Sequence, residues 1–227
     1  MTDTTFEFRD YTLQPGQRDV LIELFEREFI ETQEALGSTI VATFRDLDRP
    51  GRFVWIRSFG DMQTRAAALD GFYTGPTWRA HRSAANATII DSDNVLLLRP
   101  HSGDVARHTA PRAPICAAPP QSLILATIYN LKPGADAAFA AHYAAEIAPH
   151  LRDLRATPFV SFATEHSPNS YPRLPVREND TVFVTLTHFA SASAHEAIAH
   201  NLAASQAPGL ISTEFRRLQP TARSQLR

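Results

Sequence analysis

The chain has 227 residues, 44% hydrophobic and 20% charged, which is the make-up of an ordinary globular protein with room for one large core or two packed ones. A net charge of −2 leaves no electrostatic footprint for nucleic acid or anionic lipid, and no run approaches the roughly 20 apolar residues of a bilayer span. The lone Cys116 excludes an intrachain disulfide, and the short polar start Met1 to Thr5 has no secretory pattern, so the expected address is cytoplasmic with no membrane or nucleic-acid partner.

Residues 6–14 alternate and predict a strand, closed by Pro15-Gly16. From Gln17 to Leu36, Val20, Leu21, Leu24, Phe25, Phe29 and Ile30 recur at helical spacing, and Gly37 is a natural stop. Ile40 to Phe44 and Phe53 to Phe59 read as two strands joined by the turn-rich Asp48-Arg49-Pro50-Gly51. Asp61 is placed to cap a helix through Leu69. A punctuated segment, Gly71 to Pro76, leads to a helical piece from Trp78 to Ala87 and a strand from Asn94 to Leu98. The order β-α-β-β-α-β is the ferredoxin-like unit.

Five prolines between Pro100 and Pro120, without apolar periodicity, mark an extended linker. A second unit follows: strand 123–131, helix 135–154 with Pro149 as a distortion near its end, and strand 158–164. A loop from His166 to Asp180, strand 181–189, helix 191–204 and strand 211–218 complete it. Pro168, Pro172 and Pro175 stiffen that loop, whose length is unusual for a structureless connection and points to a functional or mobile element.

The two units repeat. Tyr11-Thr12-Leu13-Gln14-Pro15-Gly16 returns as Tyr129-Asn130-Leu131-Lys132-Pro133-Gly134, an offset of 118 residues. The offset is 130 between Phe59 and Phe189 and 120 between Pro100 and Pro220, so the second copy gains residues before its third strand and loses some after it. A period this long is domain-sized, above the roughly 20–50 residues of solenoid repeats. The expected organisation is a repeat over 1–100, a Pro-rich linker over 101–120 and a divergent repeat over 121–227.

The run Phe8-Arg9-Asp10-Tyr11-Thr12-Leu13-Gln14-Pro15-Gly16 resembles the start of the NIPSNAP family domain. Phe53-Val54-Trp55-Ile56-Arg57-Ser58-Phe59 looks like that domain's third strand. Phe72-Tyr73-Thr74-Gly75-Pro76-Thr77-Trp78-Arg79-Ala80-His81-Arg82, with Ala85-Asn86-Ala87-Thr88, is similar to bacterial members. The second unit resembles the family weakly, through Tyr129 to Gly134 and the element order. The resemblance implies the dimeric α/β-barrel fold, an α+β architecture in which two ferredoxin-like sheets pair around an enclosed space. Here one chain supplies both sheets, with further homodimerisation open. Relatives of the wider fold include cofactor-independent monooxygenases, cyclases, isomerases and haem enzymes, so fold alone does not choose the chemistry.

Strand alternation groups Glu7, Arg9 and Tyr11 on one face of the first strand and Trp55, Arg57 and Phe59 on one face of the third. The aliphatic faces are expected under the helices, which leaves the charged and aromatic set facing the barrel interior. Arginine forks, a tyrosine donor and tryptophan suit a flat, oxygen-rich anion, whereas the bland alternative is a structural Glu7–Arg9 pair with Trp55 as filler. The equivalent faces of the second unit, Leu125, Thr127 and Tyr129 with Thr185, Thr187 and Phe189, are nearly uncharged.

His81 is the acid–base candidate, with Tyr73 and Trp78 as lid aromatics. His195 and His200 are not at the i, i+4 spacing of a helical metal pair, and no other cluster has ligand spacing, so no metal and no cofactor are expected. His188 is a conceivable but unsupported haem ligand.

The leading functional expectation is a cofactor-independent enzyme acting on a small apolar or aromatic metabolite in a barrel-interior pocket. Its chemistry would be cyclisation, isomerisation or elimination, or oxygenation. Arg9, Arg57 and Tyr11 would hold the substrate, with Glu7, Trp55, Phe59, Tyr73, Trp78 and Tyr129 lining the pocket and His81 moving a proton. The alternative is a non-catalytic binding or adaptor protein. A preformed cavity holding the Trp55/Arg57/Arg9 face favours the first and a barrel packed solid favours the second.

Overall fold

A computed structural model describes residues 3–154, 156, 158–189 and 207–227. The first repeat comprises β1 (Thr5–Leu13), α1 (Arg18–Leu24), a π-helical turn (Phe25–Phe29), α2 (Ile30–Glu34), β2 (Ser38–Asp46) and β3 (Arg52–Phe59). It continues with α3 (Met62–Thr74), α4 (Pro76–Thr88), the short β4 (Ile89–Asp91) and β5 (Val95–Gly103). The second comprises β6 (Leu123–Leu131), α5 (Asp136–His142), a π-helical turn (Tyr143–Ile147), α6 (Ala148–Asp153), β7 (Val160–Thr164), β8 (Thr181–Phe189) and β9 (Leu210–Pro220). The helix expected over 191–204 lies outside the described residues.

Two four-stranded sheets, β2-β3-β1-β5 and β9-β6-β8-β7, join at β2–β9 and at β5–β7 into a closed antiparallel barrel. β4 is an extra strand on β1. Two ferredoxin-like repeats thus form one dimeric-α/β-barrel-type fold within a single chain.

Every barrel strand sends one alternate face inward. Phe6 and Phe8, Ala42 and Phe44, Val54 and Ile56, and Leu96 and Leu98 come from the first repeat. Ile124, Ala126 and Ile128, Val160 and Phe162, Val182, Val184 and Leu186, and Leu218 come from the second. These side chains merge into one buried cluster, so the barrel interior is an apolar core. Its end is stoppered by the C-terminal tail. Leu226 is fully buried in the same cluster, and its backbone N–H donates to the Val41 carbonyl at 3.1 Å.

Local chemistry explains the elements that position the site. Asp61 accepts from the Thr64 backbone at 2.7 Å while Thr64 Oγ1 accepts from the Asp61 backbone, a reciprocal cap that starts α3. Pro76 opens α4, where its missing N–H costs nothing. A Cβ on Gly75 would meet the Gly71 carbonyl at 2.6 Å, so the α3–α4 corner requires glycine. β5 runs past Leu98 to Gly103 through Pro100. Beyond Leu98 it no longer pairs with β1, so Pro100 falls where one edge is free.

The long helical runs each contain a π-turn. The second, Tyr143–Ile147, precedes Pro149, but the first, Phe25–Phe29, lies 118 residues earlier with Glu31 in the proline's place. The turn therefore belongs to the repeat and not to the proline. Such turns concentrate at functional sites.

Candidate ligand site beneath the helices of the first repeat

The β1–β3 register sets Glu7 opposite Arg57, Arg9 opposite Trp55 and Tyr11 opposite Phe53. The grouping follows the alternation, but the direction is opposite to the expectation: this face lies outside the barrel, beneath the helices. Tyr11 and Trp55 pack with Leu21, Phe25, Phe29 and Phe72, while the aliphatic faces fill the interior. The physical reason lies in the partners. Buried ions require hydrogen-bonding neighbours, and the helices supply Gln33 and Arg65, whereas the interior receives apolar side chains from all eight strands.

Glu7 is the hub. Its carboxylate accepts from Arg9 Nη1 at 2.7 Å, Arg57 Nε at 2.7 Å and Arg65 Nε at 2.6 Å, and all four side chains are fully buried. One carboxylate facing three guanidiniums leaves a buried layer with excess positive charge. Burial alone would push the Glu7 pKa up, but Arg57, Arg9 and Arg65 together hold it well below the usual carboxylate range. Arg57 Nη1 donates to Gln33 Oε1 at 2.8 Å, and Arg9 Nε donates to the Tyr11 hydroxyl at 3.1 Å. Arg57 Nη2 and Arg65 Nη2 are buried without a partner among the described residues.

Above this layer lies a cavity of about 240 Å3, walled by Tyr11, Gln33, Trp55, Phe29, Tyr73 and Trp78 among others. Two donors face it. The Tyr11 oxygen already accepts from Arg9 and its own hydrogen has no acceptor among the described residues, and burial pushes its pKa up to about 12 despite the opposing Arg9 charge. Trp55 is 2% exposed and its indole Nε1 has no partner among the described residues. Arg9 and Arg57 sit 5.4 and 5.0 Å from the Trp55 ring centroid. Cations against the ring withdraw electron density and make the N–H a stronger donor.

The second repeat closes the site. The segment between β7 and β8 is the insertion that shifts the repeat offset, and it folds over the first repeat. Arg65 Nη1 donates to Asn169 Oδ1 and Ser170 Oγ, each at 3.0 Å. Tyr171 stacks on Tyr73 with centroids 6.2 Å apart, and Arg173 and Leu174 join the cavity wall.

Of the residues expected from sequence, Tyr11, Trp55, Tyr73 and Trp78 line the cavity, and Glu7, Arg9 and Arg57 lie beneath its floor. Phe59 is on the same face but packs with Leu69 and Tyr171. His81 is not in the wall; it is half-buried on α4 with Nε2 at 3.5 Å from Glu28. Tyr129 lies in the second repeat's own core with Phe139 and Phe183, and burial raises its pKa. Sequence reasoning missed Gln33 and Arg65. Both occupy apolar-stripe positions, Gln33 following Phe25 and Phe29 at steps of four and Arg65 preceding Ala68, Leu69 and Phe72, and a polar residue on such a stripe is the signal.

A wider space of about 490 Å3 lies at the barrel end near Phe6, Val41 and Val160. Its ionisable lining is Asp3 and Asp104, and the buried orphan donors lie elsewhere. No group of three or more His, Cys, Asp or Glu with metal-holding geometry occurs among the described residues, and no described helix is long and apolar enough to cross a membrane.

An eight-stranded antiparallel barrel built from two helix-covered ferredoxin-like sheets, with a cavity between one sheet and its helices, defines the class as a dimeric α/β barrel. Residues 6–102 match the family model NIPSNAP, so the first repeat is a NIPSNAP domain. A proposed monooxygenase from Lactobacillus acidophilus NCFM superposes with a TM-score of 0.56 at 13% identity, covering 98% of this chain and 97% of that one. Another, from Fusobacterium nucleatum, gives 0.54 at 8% identity over 97% and 93%. A NIPSNAP family protein from Agrobacterium tumefaciens matches at 19% identity, covering 47% of this chain and 94% of its own, with a TM-score of 0.42. No curated protein matches the sequence.

Proposed function

We propose that the protein is an enzyme that binds a small, largely apolar or aromatic metabolite between the helices and the sheet of the first repeat. A ligand oxygen accepts from Trp55 Nε1–H and the Tyr11 hydroxyl, and the Glu7/Arg9/Arg57/Arg65 layer stabilises negative charge on it. The observation that carries this reading is the buried Trp55 indole N–H, unpartnered among the described residues, in the wall of a cavity with guanidiniums against its ring. A buried donor left unpaired costs about 1–3 kcal/mol, which a ligand acceptor would recover.

The chemistry supported is stabilisation of an enolate or phenolate, as in cyclisation, isomerisation, elimination or oxygenation of an electron-rich substrate. Neither a carboxylate nor an imidazole is among the cavity-lining residues described, and His81 stands outside, so the reading assigns the protein to hold the anion and not to His81 the proton. The neighbours proposed as monooxygenases share 13% and 8% identity and support the fold, not this choice. The apolar barrel interior would equally suit an adaptor; the cavity with its orphan donor is what favours the enzyme.

The test is a thermal-shift screen against phenols, aromatic ketones and acids, lactones and acyl thioesters. A ligand at about 100 times its Kd adds about 2.7 kcal/mol, or roughly 5–10 °C in Tm for a chain of this size. Hits should fade in Trp55→Phe. Hits indifferent to that substitution, or none across the panel, contradict the reading.

A further inference from the structure

We propose that the ligand of this cavity is an acid, held by its anionic group in a side pocket built jointly by the two repeats. A second space of about 130 Å3 shares Tyr73, Trp78, Arg173 and Leu174 with the main cavity and adds Arg82 and Tyr171. Arg82 from α4 and Arg173 from the second repeat's loop are exposed cations with no ion pair or hydrogen bond among the described residues. Tyr171 is 8% exposed, and its hydroxyl is buried without a partner among those residues. Two free guanidiniums and one orphan hydroxyl in a small aromatic pocket are what a carboxylate, sulfonate or phosphate group requires. The space is several times a water's share of about 30 Å3, enough for such a group.

The shared walls set the two spaces side by side. An aromatic body lies against Trp55 and Trp78, a ligand oxygen reaches Trp55 Nε1 and Tyr11, and the anionic end turns to Arg82 and Arg173. This inference rests on the reading of the main cavity as a small-molecule site and adds the charge of the substrate. It also assigns a role to the loop inserted in the second repeat: Arg173 and Tyr171 set specificity in a site whose donors belong to the first.

The test uses a matched pair of dyes, anilinonaphthalene sulfonate and its unsulfonated parent N-phenylnaphthylamine. Both tryptophans of the chain line the cavity, so quenching of indole emission reports occupancy. The wild-type protein should bind the sulfonate about tenfold more tightly than the parent. Arg82→Ala and Arg173→Ala should each weaken the sulfonate about three- to fivefold, as for partly exposed ion pairs, and together remove the preference, with Arg82→Ala, outside the main cavity wall, leaving the parent within about twofold. Equal affinity for both dyes in the wild type, or a preference that survives the double substitution, overturns the inference and leaves the cavity reading standing. Failure of both dyes to quench overturns the two together.

Discussion

The two repeats place side chains at matching positions and fill them differently. In the first, Glu7 faces Arg57 and Arg9 faces Trp55; in the second, Leu125 faces Thr187 and Thr127 faces Thr185. Gln33, which orients Arg57, has Leu151 at the 118-residue offset, buried in the second core. The tyrosines remain, but Tyr11 is held by Arg9 whereas Tyr129 has an unpartnered hydroxyl among the described residues. The same sheet, helix and π-turn therefore form without the charged layer. Folding does not require it, and a buried ion cluster is no more stabilising than well-packed apolar residues of like volume. What the layer adds is a polarised face under a cavity, which is why we propose the site in the first repeat.

The largest effect belongs to the hub of the charged layer. Glu7→Gln leaves three buried guanidiniums without their carboxylate and should cost about 3–5 kcal/mol, lowering Tm by roughly 10 °C. The sign with pH follows from the lowered Glu7 pKa. Its contribution is present above the ordinary value of 4.5 and lost as pH falls through the lower folded value, so the gap between wild type and Glu7→Gln is full at neutral pH and narrows in acid. At the matching position Leu125→Ala should cost about 2–4 kcal/mol by leaving a cavity, without that pH dependence. Urea denaturation at several pH values separates the two.

The tyrosines sharpen the contrast. Tyr11→Phe strips a partner from buried Arg9 Nε and should destabilise by about 1–3 kcal/mol, whereas Tyr129→Phe should be neutral or slightly stabilising. Like signs would contradict the proposed division between the repeats. Asn169→Ala removes one Arg65 partner in the covering loop and should cost about 1 kcal/mol, with ligand affinity falling a fewfold. His81→Ala should change stability by no more than about 0.5 kcal/mol and leave ligand affinity intact, since its Glu28 contact is part-exposed and outside the cavity. A large loss of affinity there would restore the acid–base role suggested by sequence.

Element order, the tandem repeat and the sharing of faces were legible because each is a local pattern: Glu7, Arg9 and Tyr11 alternate, and so do Trp55, Arg57 and Phe59. Which face turns inward was not legible. In a barrel wrapped by helices both faces are buried, so alternation separates two sets without saying which is inside. The answer depended on Gln33 and Arg65, distant in sequence and on other elements. The 166–180 loop was visible as an anomaly of length, but its target was not, because Arg65 meets Asn169 across 104 positions. The tail was silent for the same reason: Leu226 has no periodic neighbours to announce that it closes the barrel.

The most direct measurement is a two-dimensional 1H–15N spectrum of the indole region, where two tryptophans give two signals, assigned by Trp78→Phe. Titrating a ligand from the thermal-shift screen should move the Trp55 Nε1–H resonance strongly downfield as its unpaired donor gains an acceptor. A bound ligand that leaves the Trp55 signal unmoved would contradict the site.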